Sequence, residues 1–286
     1  MMRRSGRGIA AAFVVLALLG GCTTTSTTTT MAAGPGPLTP QGGARSASTD
    51  GKDHAPGSEE TDAGRRGRAR LELAAAYFQR GQMTTALEQV KLAIQADPGL
   101  GEAYTLRGLI YANLGDFALA DESFRRALQV NPQDADSLHN YGWYLCQQRR
   151  YDEADTMFRR AIAVPQYRDV ARTLLAEGVC QASAGRLDAA EQTLSRSYQL
   201  DPGNPTTAVR LSEVLYQRGQ YERARFYVRR VNAIPEISNA QTLWLAARIE
   251  KRLGNQQGAQ DFGMQLRNRF PDAPETAAFL RGGFDE

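Results

Sequence analysis

Histidine is nearly absent from this sequence: His54 and His139 are the only two among 286 residues. Neither lies in a spacing typical of metal ligands, so we expect no metal site. The net charge is also small. The formal net charge is +3, and Arg3, Arg4 and Arg7, which precede Cys22, account for all of it. Because the chain is neutral beyond that point, electrostatics provides no basis for sequence-independent binding of nucleic acid.

The residue patterns of common catalytic sites are missing as well. The sequence contains no Ser–His–Asp arrangement, no glycine-rich phosphate loop and no carboxylate pair outside the repeats described below. His139 would need a partner to act as a general base, and no candidate partner can be named. We therefore expect no catalytic residues, no cofactor and no small-molecule substrate.

The N-terminal segment has the pattern of a targeting signal. A basic start is followed by an apolar run from Ile9 to Leu19 and then by small residues, which is the layout of a secretory signal. The run is about half of the ~20 residues that a membrane-spanning helix needs. Leu19-Gly20-Gly21-Cys22 resembles the bacterial lipobox. That resemblance implies a signal peptide over residues 1–21 and an acylated Cys22 at the mature N-terminus, although a plain cleaved signal remains the alternative.

Two features between Cys22 and residue 66 bear on location and mobility. Thr23 stands where an aspartate would indicate retention in the inner membrane, so the lipobox resemblance implies attachment to the periplasmic face of the outer membrane. Residues 22–66 are rich in Thr, Gly, Pro and Ser, including the run TTTSTTTT. Such a composition buries too little apolar surface to offset the entropy of ordering. We predict a disordered tether that holds the folded part away from the membrane.

The remainder of the chain repeats itself. Pro98 and Pro132 each close a similar segment and lie 34 residues apart, which is the period of the tetratricopeptide repeat, a helix-turn-helix unit. The sequence predicts an all-α tetratricopeptide-repeat superhelix over residues 67–286, because a single unit cannot bury its own apolar face. We place six repeats at about 67–100, 101–134, 135–168, 171–204, 205–238 and 240–273, followed by a short capping helix.

The repeated residue types have a physical purpose. Small residues such as Gly142 and Ala154 allow the two helices of a repeat to approach closely, and large ones such as Phe158 fill the space between repeats. Glycine supplies the positive φ that ends the first helix. In the third repeat Arg149 stands at the place of that turn glycine.

First helices line the concave face of such a stack, so their outward positions form a candidate partner-binding groove. Its apolar character favours an apolar or amphipathic peptide. Trp143 is either a binding hot spot there or a wedge buried between helices. A carboxylate clamp is not predicted, because only Asn140 and Arg172 are suitably placed. The groove residues are Leu71, Phe78, Leu109, Asn113, His139, Trp143, Gln147, Leu175 and Val179.

Three stretches carry a family resemblance: NYGWYLC from Asn140, the Val-Pro-Gln-Tyr insertion at Val164, and EGVCQASAGRLDAAEQTL from Glu177. Together they resemble the PilF/PilW family of type IV pilus biogenesis and stability lipoproteins, the pilotins, over roughly Leu71 to Pro271. Glu177 departs from the asparagine usual in that family, and the Thr-rich tether is unusually long. The resemblance implies an outer-membrane lipoprotein that binds secretin subunits, aids their delivery and multimerisation, and is needed for pili and twitching motility.

Cys146 and Cys180 are the only cysteines of the repeat region. Both fall on first helices of adjacent repeats, and the periplasm is oxidising. The residues alone leave two outcomes open, a disulfide or two buried free thiols. The family resemblance favours the disulfide.

Two other functional classes are compatible with the sequence. One is a tetratricopeptide lipoprotein that acts as a scaffold for another cell-envelope assembly machine. The other is an enzyme subunit that uses the repeats for docking. A neighbouring gene for a secretin would favour the pilotin, whereas a co-purifying catalytic partner would favour the docking subunit.

Overall fold

A computed structural model describes residues 61–284, which form thirteen α-helices and contain no strand in that range. The predicted signal peptide, Cys22 and nearly all of the predicted tether lie outside the described residues. The helices are α1 Asp62–Gln79, α2 Met83–Ala96, α3 Gly101–Leu114, α4 Phe117–Val130, α5 Ala135–Gln147, α6 Tyr151–Ile162, α7 Val170–Ser183, α8 Leu187–Leu200, α9 Pro205–Gln217, α10 Tyr221–Asn232, α11 Ala240–Arg252, α12 Gln256–Arg269 and α13 Pro274–Leu280.

The start of α1 corrects the predicted end of the tether. Residues 62–66, assigned to the tether, belong to the helix. The Thr61 hydroxyl accepts a hydrogen bond from the Gly64 amide and caps the first turn. Gly64 and Gly67 are buried, and a Cβ at Gly67 would lie 3.0 Å from the Cβ of Asp97. Glycines that resemble a flexible linker in sequence therefore serve as contact points between helices.

The helices pack as six successive pairs, α1 with α2 through α11 with α12, and α13 packs on α11 and α12 at the end. Each first helix also contacts the first helix of the next repeat. This all-α tetratricopeptide-repeat architecture confirms the predicted fold class. The two helices of the third repeat approach closely at a large buried ring: a Cβ added to Gly142 would lie 2.9 Å from ring carbons of Phe158.

The turns between paired helices follow the predicted chemistry. Gly115 and Gly219 take positive φ values of 85° and 73°, where glycine has no steric penalty. Arg149 occupies the corresponding turn of the third repeat with φ 60°. The backbone therefore keeps the left-handed conformation although the residue has a Cβ that disfavours it.

Ion pairs tie neighbouring repeats together. In each case a partly buried carboxylate on the second helix of one repeat meets an arginine of the next repeat. Because the carboxylates are largely shielded from solvent, these contacts are screened less than exposed pairs. The pairs recur in successive repeats and therefore fix how each unit is placed on the one before it. They are Asp121–Arg150, Asp155–Arg186 and Glu191–Arg218.

Candidate functional site

The inner layer of the stack consists of first helices. In the described part of the chain, the backbones of α1, α3, α5, α7, α9 and α11 approach one another in succession. The second helices lie farther apart and meet only through long side chains, as Tyr198 of α8 and Tyr227 of α10 do. Helices that touch on one side and separate on the other make a curved array. The first helices therefore line its concave surface, the inner groove.

Contacts within the third repeat orient α5. Gly142 packs against Phe158 of α6. An α-helix turns about 100° per residue, which places Trp143 and Gln147 roughly 100° and 140° around the axis from Gly142. These two residues therefore face the inner groove. Trp143 is half-buried against the core and Gln147 is exposed.

The predicted groove residues divide into two groups. Phe78, Trp143 and Val179 are half-buried, and Asn113 and Gln147 are exposed. These five offer surface to a ligand. Phe78 packs against the core of the first two repeats and also against the neighbouring core on which Trp143 packs. Two partly exposed aromatic rings thus border one continuous apolar region in the first three repeats.

The other four predicted groove residues are buried. Leu71 is 5% exposed, Leu109 9%, His139 1% and Leu175 3%. Direct ligand contact through these side chains is not supported, because adjacent first helices close over them. Their role is to support the residues that remain accessible.

His139 makes an internal connection instead. Its Nδ1 lies 2.9 Å from the Thr173 hydroxyl, which in turn is 2.8 Å from the Tyr167 hydroxyl. Burial, with a smaller effect from Arg172, lowers the pKa of His139 to about 3. The imidazole is therefore neutral at physiological pH. Through Thr173 it joins α5 to α7 and to Tyr167 in the loop that carries the Val-Pro-Gln-Tyr insertion.

Two charged residues lie near the amino-terminal ends of neighbouring first helices. Burial, together with the nearby carboxylates of Asp134 and Asp169, raises the pKa of Asp136 on α5 to about 6. Burial also lowers the pKa of Arg172 on α7. This end of the inner groove consequently presents opposite charges beside its apolar surface, which suits a peptide that is amphipathic rather than uniformly apolar.

Cys146 and Cys180 are joined by a disulfide between α5 and α7, with Cα atoms 5.7 Å apart. That separation lies in the ordinary range for such bonds. Cys146 is 7% exposed and Cys180 is fully buried. The bond covalently joins the third and fourth repeats directly beside Trp143.

Sequence reasoning missed the groove surface of the last two repeats. Tyr216 of α9 and Trp244, Arg248 and Lys251 of α11 form a cluster in which the Arg248 guanidinium lies 4.8 Å from the centre of the Tyr216 ring. Alignment of the repeats on their turn residues could have identified this groove surface. Arg248 precedes the turn residue Gly254 by the same number of residues as Trp143 precedes Arg149.

Between residues 61 and 284 no helix combines the length and apolar character needed to cross a membrane. In the same range no group of three or more His, Cys, Asp or Glu side chains is arranged to hold a metal ion.

A stack of helical pairs with a partly apolar inner groove defines a tetratricopeptide-repeat protein, a class that mediates protein–protein interactions. Family models described as tetratricopeptide repeat match residues 99–166, 142–205 and 181–235. Among individual proteins, the chain is 28% identical over 211 residues to the type IV pilus assembly protein PilF of Pseudomonas aeruginosa. That match spans 74% of this chain and 83% of PilF.

Solved structures agree with that match. A crystal structure of PilW, a widely conserved type IV pilus biogenesis factor, is 32% identical, with a TM-score of 0.69 over 75% of this chain and 98% of PilW. The structure of Pseudomonas aeruginosa PilF is 25% identical, with a TM-score of 0.68 over 78% of this chain and all of that one. The chain belongs to the PilF/PilW family of type IV pilus biogenesis proteins.

Proposed function

We propose that this protein is an outer-membrane lipoprotein whose inner groove binds the secretin subunit of the type IV pilus and promotes the localisation and multimerisation of that subunit. The observation that carries the proposal is the pair of half-buried aromatic rings, Phe78 and Trp143, on the inner groove of a PilF/PilW family member. Aromatic residues next to an apolar surface are typical anchors for a bound peptide.

The shape and charge of the groove define the ligand. Phe78, Trp143 and Val179 supply apolar contact area, while Asn113 and Gln147 supply exposed amides. The Asn113 amide donates to the Leu109 carbonyl at 2.8 Å, which leaves its side-chain oxygen for a ligand donor. An amphipathic segment of the secretin, with apolar side chains inward and polar groups outward, satisfies both sets of groups.

Capture of the secretin from detergent-solubilised outer membrane tests the binding step. Trp143→Ala should lower the captured amount at least tenfold, since loss of a central aromatic anchor costs about 2 kcal/mol or more. Phe226→Ala is the matched control, because Phe226 is an aromatic residue on the second helix α10 with 54% of its surface exposed. Helical content measured by circular dichroism should be the same for both variants.

If Trp143→Ala and Phe78→Ala both leave secretin capture and secretin multimers unchanged, the inner groove is not the binding site. The rim formed by the exposed Phe117 and the half-buried Tyr151, at the starts of α4 and α6, would then be tested in the same way.

The membrane anchor has a separate test, which rests on Cys22 outside the described residues. Cys22→Ala should leave an unprocessed precursor and remove the protein from outer-membrane fractions, because acyl chains contribute ~0.8 kcal/mol for each buried methylene. Normal processing and normal outer-membrane sorting of that variant would contradict the anchor.

A further inference from the structure

The segment that follows α13 folds back onto the sixth repeat. Gly282 has φ +72°, and the amide of Gly283 donates to the Ala278 carbonyl at 2.9 Å, which closes the helix. The chain then reverses, so that the Phe284 ring packs against Trp244 with ring centres 5.1 Å apart and the ring planes tilted by 39°. A left-handed glycine followed by a second glycine allows this sharp change of direction.

Phe284 is held by three side chains of one helix. In addition to the Trp244 contact, Arg248 Nε donates to the Phe284 carbonyl at 3.3 Å, and the Lys251 ammonium lies 5.6 Å from the centre of the Phe284 ring. Trp244, Arg248 and Lys251 are spaced as i, i+4 and i+7 and therefore share one face of α11. In repeat register Arg248 matches Trp143, so this face is the inner groove.

The surroundings of Phe284 have a definite chemistry. Trp244 offers an aromatic face, and both cations lie over aromatic rings, an arrangement that favours a bound ring. Within residues 61–284, neither Arg248 nor Lys251 forms an ion pair with a carboxylate. The Tyr216 hydroxyl is buried and has no hydrogen-bond partner in that range. The positive charges of Arg248 and Lys251, which no carboxylate in that range neutralises, lie beside the aromatic rings and suit a ring flanked by acidic groups. In the sequence Phe284 is followed by Asp285 and Glu286.

We propose that Tyr216, Trp244, Arg248 and Lys251 form a peptide-binding site, the sixth-repeat pocket, for a segment that carries an aromatic residue beside acidic residues. Phe284 is an occupant supplied by the same chain, and an incoming peptide displaces it. Displacement is feasible because Phe284 is only half-buried and, within the described residues, one hydrogen bond joins it to α11. The proposal does not depend on the secretin being the partner, and it concerns a different part of the inner groove from Trp143.

The test supplies the segment as a separate molecule. The chain is shortened after Arg281, which preserves α13, and carries Trp143→Phe, so that Trp244 is its only tryptophan. The probe is a synthetic peptide of residues 278–286, AFLRGGFDE. It should bind the shortened chain saturably and change Trp244 fluorescence. Binding to the longer chain with the same Trp143→Phe change should be at least tenfold weaker, because Phe284 already fills the pocket.

Matched controls identify the contacts. A peptide with Ala at the Phe284 position should not bind, and one with Asn-Gln in place of Asp-Glu should bind more weakly and with less dependence on salt. On the protein side, Lys251→Gln should weaken peptide binding severalfold. Phe226→Ala, on α10, should not.

Three results would overturn the proposal. The first is no saturable binding to a shortened chain that circular dichroism shows to be folded. The second is equal binding to the shortened and longer chains. The third applies if shortening unfolds the protein, in which case the longer chain with Phe284→Ala is used in place of the shortened chain. If that variant is folded but does not bind the peptide, Phe284 is a structural cap. Because these measurements contain no secretin, their failure is distinguishable from failure of the proposed function.

Discussion

Removal of the Cys146–Cys180 disulfide should lower stability by an amount that can be calculated from its place in the chain. The bond spans 34 residues. In the chain-entropy account, cross-linking a loop of that length restricts the unfolded ensemble enough to contribute about 4 kcal/mol at 25 °C. The folded state should lose little on reduction, since both sulfurs are buried and reduced thiols pack as small apolar groups. Reduction of the unaltered protein thus measures the bridge itself.

The assay is urea unfolding followed by circular dichroism, with and without a reductant. The oxidised protein should lose about 3–4 kcal/mol on reduction. A variant with Cys146→Ala and Cys180→Ala should show no response to the reductant and should be about 1–3 kcal/mol less stable than the reduced protein, because two buried sulfurs are lost. A reductant effect below about 1 kcal/mol would refute the unfolded-state argument. Alkylation of both cysteines without prior reduction would refute the bond itself.

Three further substitutions test the fold. Burial, with a smaller effect of Asp155, raises the pKa of Glu177 to about 7 despite the nearby Arg159. The folded pKa exceeds the unfolded value of about 4.3, so the contribution of Glu177 to stability is fully present below about pH 4 and is lost as pH rises to about 7. Glu177→Gln should therefore gain about 2–3 kcal/mol at pH 8 and flatten the pH profile; an unchanged profile in denaturant titrations would contradict this. Arg149→Gly should raise stability by about 0.5–1 kcal/mol by relieving the positive φ, and a lower melting temperature would show that the turn is not strained. Gly142→Ala should cost about 1–3 kcal/mol, because its Cβ presses on a buried ring; calorimetry showing no loss would contradict such close packing.

The exposure of the candidate site residues could not be predicted from the sequence. Helical periodicity predicts that Trp143 and Gln147 face the inner groove, and both keep solvent-accessible surface in the structure. It could not show that Leu109 and His139 on the same face are buried, because exposure depends on how closely neighbouring first helices approach. Packed helices lie 8–10 Å apart, and a change of one or two ångströms at that distance decides whether a side chain reaches solvent.

Local patterns in the sequence determined the repeats. A 34-residue period, small residues at fixed places and left-handed turn positions dictate paired helices, and the pairs stack because none can bury its apolar face alone. The same register put Cys146 and Cys180 on adjacent first helices. The start of α1 and the position of Phe284 depended on tertiary contacts instead. Gly67 becomes a helix contact only when α2 lies against it, and Phe284 reaches the inner groove only because the chain reverses at Gly282 and meets Trp244, a residue 40 positions earlier. Contacts between residues so distant in sequence leave no periodic signal, so only the packed structure decides them.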